Sequence, residues 1–346
     1  MSKAAIGRLA VLSLLWGSVF LWIKISGYGF SPVEMVFVRL VLGAAVILSI
    51  GYAKGQKLPR DRTVLGHMAV AALLGNAVPW LLFAEGERTG SSNIAGIVSG
   101  TGPVWTLGAA VLLGTEKRLG AARIWGMVVG LLGVVLVAAP WSDGTHVSTT
   151  SVIYFALGAV SFGSSFAYVG RFLTGRGIPV FMLVGGQLAM AAVMTLVAVP
   201  FIGLEPVEWR TDSVIALVIL GVMCTGFAVL LNTIIIGKDG PAAAATVIYL
   251  MTVVSVVLGA VFLDEPLGWT VLLGTVAVLV ATGLLRRKPA EPAAPATPAE
   301  PAKEPAADGT VEAGAPAEAA GAAPERDAPD AGAPAAAPAR TSAAGN

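Results

Sequence analysis

Long apolar runs alternate with short polar breaks as far as Lys288. Most runs reach the roughly 20 residues an α-helix needs to cross about 30 Å of hydrocarbon. The pattern predicts ten helices, over 5–26, 33–53, 64–84, 91–113, 122–139, 152–172, 180–202, 213–237, 241–263 and 267–286. A transmembrane β-barrel would instead show segments of alternating polarity, and these runs do not alternate. The expected fold is an all-α integral membrane protein.

The runs repeat. The phrase "SGTGPVWTLGAAVLLGTEKRLG" at 99–120 returns as "IYLMTVVSVVLGAVFLDEPLG" at 248–268, with Glu116 aligned to Glu265 at an offset of 149 residues. "LWGSVFLWI" at 15–23 returns as "SFGSSFAYV" at 161–169, at an offset of 146. The predicted organisation is a five-helix repeat over 1–140 and a second over 151–288. Five is odd, so the second copy enters the membrane in the opposite sense and the repeats are inverted. Two halves of like fold and opposite orientation can expose a central site to one side and then the other.

Charge orients the array. With the N-terminus cytoplasmic, the inner segments hold fifteen Lys and Arg residues, from Lys3 and Arg8 to Arg286, Arg287 and Lys288, whereas the outer loops hold only Arg88 and Arg210. Such a bias over short loops sets topology, so both termini are expected on the cytoplasmic side of the cell membrane. Overall 56% of the residues are hydrophobic and 12% charged, far from the roughly 25% charge of soluble domains. The near-neutral net charge of +1 hides a division. Residues 289–346 carry nine acidic and three basic side chains, and the first 288 carry nineteen basic and twelve acidic. That Ala- and Pro-rich acidic tail has almost nothing apolar to bury and is expected to be disordered. Cys224 stands alone in the eighth run, where it reads as a small core residue.

At "LLWGSVF", "SPVEMVFVRL", "GPVWTLGAAVLLGTE" with "GMVVGLLGVVL", and in the second half "VVLGAVFLDEPLGW" and "LLGTVAVLVATG", the chain resembles the EamA-type members of the drug/metabolite transporter superfamily. The resemblance covers residues 5 to about 286. It implies ten helices in two halves and a secondary carrier, commonly an exporter of amino acids, metabolites or drugs. One departure is Thr252, where the family commonly repeats the proline seen at Pro103, which puts symmetric kinking of the two helices in question.

Arg39 is the charge to explain. It lies about seven residues into the second helix, roughly 10 Å below the outer surface, and Glu34, five positions earlier, is about 140° around the helix. A charge that deep needs a wet cavity or a partner; it either snorkels or receives an anionic ligand group. Gln187 is opposite Arg39 by the repeat offset. Asn76, Asn232 and Tyr249 supply further uncharged polar groups inside helices, read as interhelical glue or as pocket lining. Trp16, Trp80, Trp105 and Tyr168 could wall an amphipathic pocket or serve packing. Pro79 and Pro103 loosen backbone bonding where a cavity or a kink would follow. Glu116 and Glu265 close equivalent helices, as caps or as gating elements. Lys24, in the last turn of the first helix, reads as a snorkelling amine with a bridge to Glu34 within reach.

No Asp, Glu or His occupies the middle of a predicted span, which leaves coupling to Glu34 or to no carboxylate. Neither an HExxH helix nor a membrane-depth Ser and His pair is present, so the sequence speaks against an intramembrane enzyme. No selectivity-filter repeat favours a channel, which stays the alternative to a carrier. The expected partners are the bilayer and a small solute, with a homodimer left open; no cofactor, metal or nucleic acid is called for.

Overall fold

The computed structural model describes residues 2–116, 119–138, 148–202 and 205–286. The expected disordered tail over 289–346 lies outside the described residues. Ten helical columns follow one another: α1 (Lys3–Ser26), α2 (Pro32–Ala53), α3 (Arg62–Thr89), α4 (Ser92–Leu112), α5 (Ala121–Ala138) and α6 (Thr149–Phe172), then α7 (Val180–Ile202), α8 (Thr211–Asp239), α9 (Pro241–Phe262) and α10 (Trp269–Leu285). Eight are long and apolar enough to cross a membrane; α9 and α10 add the shorter apolar stretches Thr246–Phe262 and Trp269–Leu285. Large side chains such as Leu132, Val197 and Val276 stand exposed on the outside, as a hydrocarbon solvent permits. The expected all-helical membrane fold is therefore observed.

The inverted relation is visible in the packing. Gly17 of α1 lies against α9, where an added Cβ would sit 2.9 Å from the Met251 carbonyl and 2.6 Å from the Val254 side chain. Its counterpart at offset 146, Gly163 of α6, lies against α4, 2.6 Å from the Gly102 carbonyl and 2.7 Å from Trp105. Gly102 and Trp105 are Met251 and Val254 less 149. The same contact is thus made twice, each time by one repeat on the other. α5 and α10 run antiparallel: Gly126 meets Leu285, Gly130 meets Ala281 and Gly133 meets Val278. The ends at which Glu116 precedes α5 and Glu265 precedes α10 are consequently opposite. Following the charge bias, the end bearing Gly27–Ser31, Gly90 and Glu265 is called outer.

Small residues set the crossings between the halves. An added Cβ at Gly96 would strike the Ser255 hydroxyl, and one at Gly100 would lie 2.8 Å from Thr252 Oγ1, so α4 and α9 meet almost backbone to backbone. Without a hydrophobic force to join helices in lipid, such close approach is what holds them. α4 is broken at Gly100–Thr101, just before Pro103, whereas α9 is continuous through Thr252. The kinks are unequal because Thr252 keeps the backbone N–H that proline lacks.

Candidate functional site

The start of α2 places Arg39. The Glu34 carboxylate accepts from the Ser31 N–H at 2.9 Å, closing the first turn, and Arg39 follows two turns inward. α2 then approaches α8 closely, since Cβ atoms on Gly43, Gly221 and Gly226 would lie 2.6 to 2.7 Å from Thr225, Leu42 and Val46. That approach brings Thr225 to the guanidinium, whose Nε donates to Thr225 Oγ1 at 3.1 Å. On the other side Trp80 of α3 lies under the guanidinium, 3.7 Å from its carbon to the ring centroid. Arg39 is 6% exposed, so the stacking operates in a dry setting, where it is worth about 2 kcal/mol. Among the described residues no acid stands within ion-pair distance, and no hydrogen bond engages the two terminal guanidinium nitrogens. Arg39 does not snorkel: it is held edge and face while its fork stays open.

Both helices that grip Arg39 are interrupted by π-helix, Leu73–Ala77 in α3 and Ile219–Phe227 in α8. These segments coincide under the repeat offset, and π segments gather at functional sites. In α3 the Val78 N–H reaches the Leu73 carbonyl, five residues back. Pro79 has no N–H for the next carbonyl, that of Leu74, and the Ser161 hydroxyl of α6 donates to it at 2.8 Å. In α8 the Thr225 hydroxyl donates to the Leu220 carbonyl, also five back, at 2.9 Å while accepting from Arg39. Pro79 thus coincides with a helix interruption beside Arg39, and Pro103 with the break in α4.

The remaining expected residues divide. Asn76 lies in the π segment one turn inward of Trp80, half-buried, with no side-chain partner among the described residues. Gln187 is buried, but it is not level with Arg39. α2 and α7 run antiparallel with Gly51 beside Met182 and Gly43 beside Leu188, which puts Gln187 about six residues, or about 9 Å, nearer the inner end. Tyr168 bonds His67 Nδ1 at 2.8 Å and packs on Phe172 toward the inner end of α3. Tyr249 lies under Arg286, 4.5 Å from guanidinium carbon to ring centroid. Trp16 packs beside Leu9, Leu12, Ala228 and Val247. Of these expected residues, Trp80 alone has a described contact with the Arg39 guanidinium.

At the outer end one expectation is corrected and one residue was missed. Lys24 does not bridge to Glu34: its amine donates to the carbonyls of Glu87 at 2.6 Å and Gly90 at 2.8 Å, capping the end of α3. Glu87 belongs to α3, not to a loop beyond residue 84, and it is 3% exposed. The apolar run stops at Ala84 and "EGERTG" reads as a turn, which hid it. The available signal was spacing: Glu87 is seven residues after Trp80 and therefore on the same helical face. A cleft of about 130 Å³ borders Lys24, Met35, Ala84 and Glu87 at this end.

Glu265 crosses from the second repeat to the first. Its carboxylate accepts from the backbone N–H groups of Ser92 at 2.6 Å and Asn93 at 2.8 Å, and from the Ser92 hydroxyl at 3.2 Å. It thereby caps α4, whose orphan N–H groups and dipole favour an anion. Its counterpart Glu116 instead pairs with Arg123 of its own repeat at 2.7 Å. Further ties between the halves at the outer end run from the Glu208 N–H to the Gly29 carbonyl at 3.0 Å and from Arg88 to Glu205 at 3.0 Å. At the inner end Arg8 and Asp239 join at 2.6 Å.

Two inverted five-helix halves with a buried arginine between π-interrupted helices define a polytopic membrane protein. The description "EamA-like transporter family" matches residues 4–139 and again 149–287, and the chain belongs to that family. It is 25% identical over 254 residues to the uncharacterized transporter YdfC of Bacillus subtilis, covering 72% of this chain and 80% of that one. It is 27% identical over 267 residues to the uncharacterized inner membrane transporter YedA of Escherichia coli K12, covering 73% and 81%. A solved crystal structure shares the fold with a TM-score of 0.57 at 21% identity, covering 83% of this chain and 97% of the other.

Proposed function

We propose that the protein is a secondary-active carrier of the cell membrane, with both termini cytoplasmic, that exports small amphoteric metabolites such as amino acids by alternating access. The observation that carries this reading is Arg39: buried and, among the described residues, without an acid partner and presenting two unbonded nitrogens between two π-interrupted helices. A guanidinium fork matches a carboxylate in two parallel hydrogen bonds. Trp80 and Thr225 orient the fork in advance, and Asn76, one turn inward, supplies uncharged polar groups for the rest of the solute. The ties at the outer end release in one half of the cycle, and the repeat symmetry supplies an equivalent closure at the inner end for the other half.

The test is counterflow into liposomes of the purified protein, screened with labelled amino acids and related metabolites. For a carboxylate-bearing solute that the parent carries, Arg39→Ala should lower kcat/KM by about 30-fold to about 4,000-fold, since losing one partner of a buried charge contact costs about 2–5 kcal/mol. Arg39→Lys keeps the charge but not the fork or the stack, and should fall between. Transport by Arg39→Ala equal to the parent's would remove the arginine from the site.

A further inference from the structure

Glu87 carries a carboxyl group enclosed in protein and, among the described residues, unbonded. Each of its carboxyl oxygens is shut from water and lacks a hydrogen-bond partner among the described residues. Lys24 is adjacent, yet its amine goes to the backbone carbonyls of Glu87 and Gly90 and makes no ion pair with the carboxyl group. An ammonium has three donors, so Lys24 has one left over that the side chain of Glu87 does not take. Bare ionised carboxylates are among the costliest groups to enclose, whereas the neutral acid loses far less.

The surroundings are mixed in charge. Lys24 from α1, Arg39 from α2 and Glu265 from the segment before α10 act on Glu87 through space. On its own helix stand Glu85 and Arg88, the latter paired with Glu205 of the segment before α8. Tyr28 lines the same cleft, and α6 places Tyr154 and Phe155 against Gly86. No donor on these elements closes on the carboxyl oxygens, and the cleft that Glu87 borders lies where the halves are tied together.

We propose that Glu87 is a proton-binding site whose occupancy follows the closure of the outer end. In the closed form observed the group is the neutral acid. When the ties at Glu265, Gly29 and Arg88 part, water reaches the cleft, Glu87 gives its proton to that water, and the carboxylate is stabilised by hydration and by the free donor of Lys24. Closure requires the reverse transfer, from water to Glu87. Each opening therefore releases one proton and each closure takes one up, so acid favours the closed form. This uses the carrier reading only in that the outer end opens; it does not depend on Arg39 or on the solute.

The test needs no solute. Ala84 is buried and borders the cleft, so Ala84→Cys, in a chain with Cys224→Ala, reports opening by its reaction with a membrane-impermeant maleimide applied from outside to oriented vesicles. Measured as a ratio to the rate of a cysteine at the exposed Trp209, here and in every variant below, so that ionisation of the thiol itself cancels, labelling should quicken as the outer pH rises, by up to about tenfold per pH unit through the titration. Glu87→Gln, a neutral isostere, should label slowly at every pH. Lys24→Gln removes the cation facing the carboxylate and should move the midpoint to higher pH, whereas Glu34→Gln should leave it in place. In parallel, the infrared carbonyl stretch of a protonated carboxylic acid should be present in the parent at neutral pH and absent from Glu87→Gln. The inference is overturned if the labelling of the parent is insensitive to pH, if the sensitivity survives Glu87→Gln, or if the infrared band does. Failure of the liposome screen with these results intact would count against the Arg39 site alone.

Discussion

Replacing Glu265 by alanine should weaken this protein far more than the same change at Glu116, although the two glutamates are repeat counterparts. Glu265→Ala takes one charged acceptor from two backbone N–H groups and a hydroxyl at the start of α4. Loss of a helix cap costs about 0.5–2 kcal/mol, and loss of an anion from a partly buried N-terminus adds up to about 2 kcal/mol. Together these give about 3 kcal/mol. Among the described residues Glu116 offers its side chain, 34% exposed, to Arg123 alone, and exposed pairs are worth about 0–1 kcal/mol. At 2–4 °C per kcal/mol, the melting temperature should fall by about 6–12 °C for Glu265→Ala and by under about 4 °C for Glu116→Ala. Tryptophan fluorescence during heating in one detergent, at a fixed scan rate because unfolding of such proteins is often irreversible, measures the difference. Glu265→Gln keeps one acceptor oxygen and should lie between. Equal losses for the two alanine variants would refute the assignment of Glu265 as the cap that joins the halves.

Gly96→Ala should destabilise by about 1–3 kcal/mol because the new methyl meets Ser255, and Ser255→Gly in the same chain should recover much of that melting temperature. Cysteines introduced singly at Thr115 and Leu267, with Cys224 replaced, should be labelled from opposite sides of the membrane, Thr115 from the cytoplasm; labelling of both from one side would contradict the antiparallel halves.

The ten spans were legible because the bilayer is their solvent: each segment must be apolar over a set length whatever its neighbours do. The offsets of 146 and 149 residues were legible too, and they relate the contact of Gly17 with α9 to that of Gly163 with α4, since duplication copies contacts along with residues. Arg39 was conspicuous because a cation inside an apolar run has to be accounted for. Glu87 was hidden by the reverse circumstance, an acid among polar neighbours at the end of a run, so its inclusion in α3 and its enclosure awaited the packing.

Sequence by itself determined the membrane class, the helix count and the opposed halves, all properties of single segments and their order. Tertiary structure alone decided which polar groups meet. Thr225 reaches Arg39 because three glycines let α2 and α8 close up, and Gln187 lies about 9 Å nearer the inner end because inverted repeats put counterparts at mirrored depths in the antiparallel pair α2 and α7. Periodicity says which residues share a helix face; only the packing of helices far apart in the chain says what that face meets.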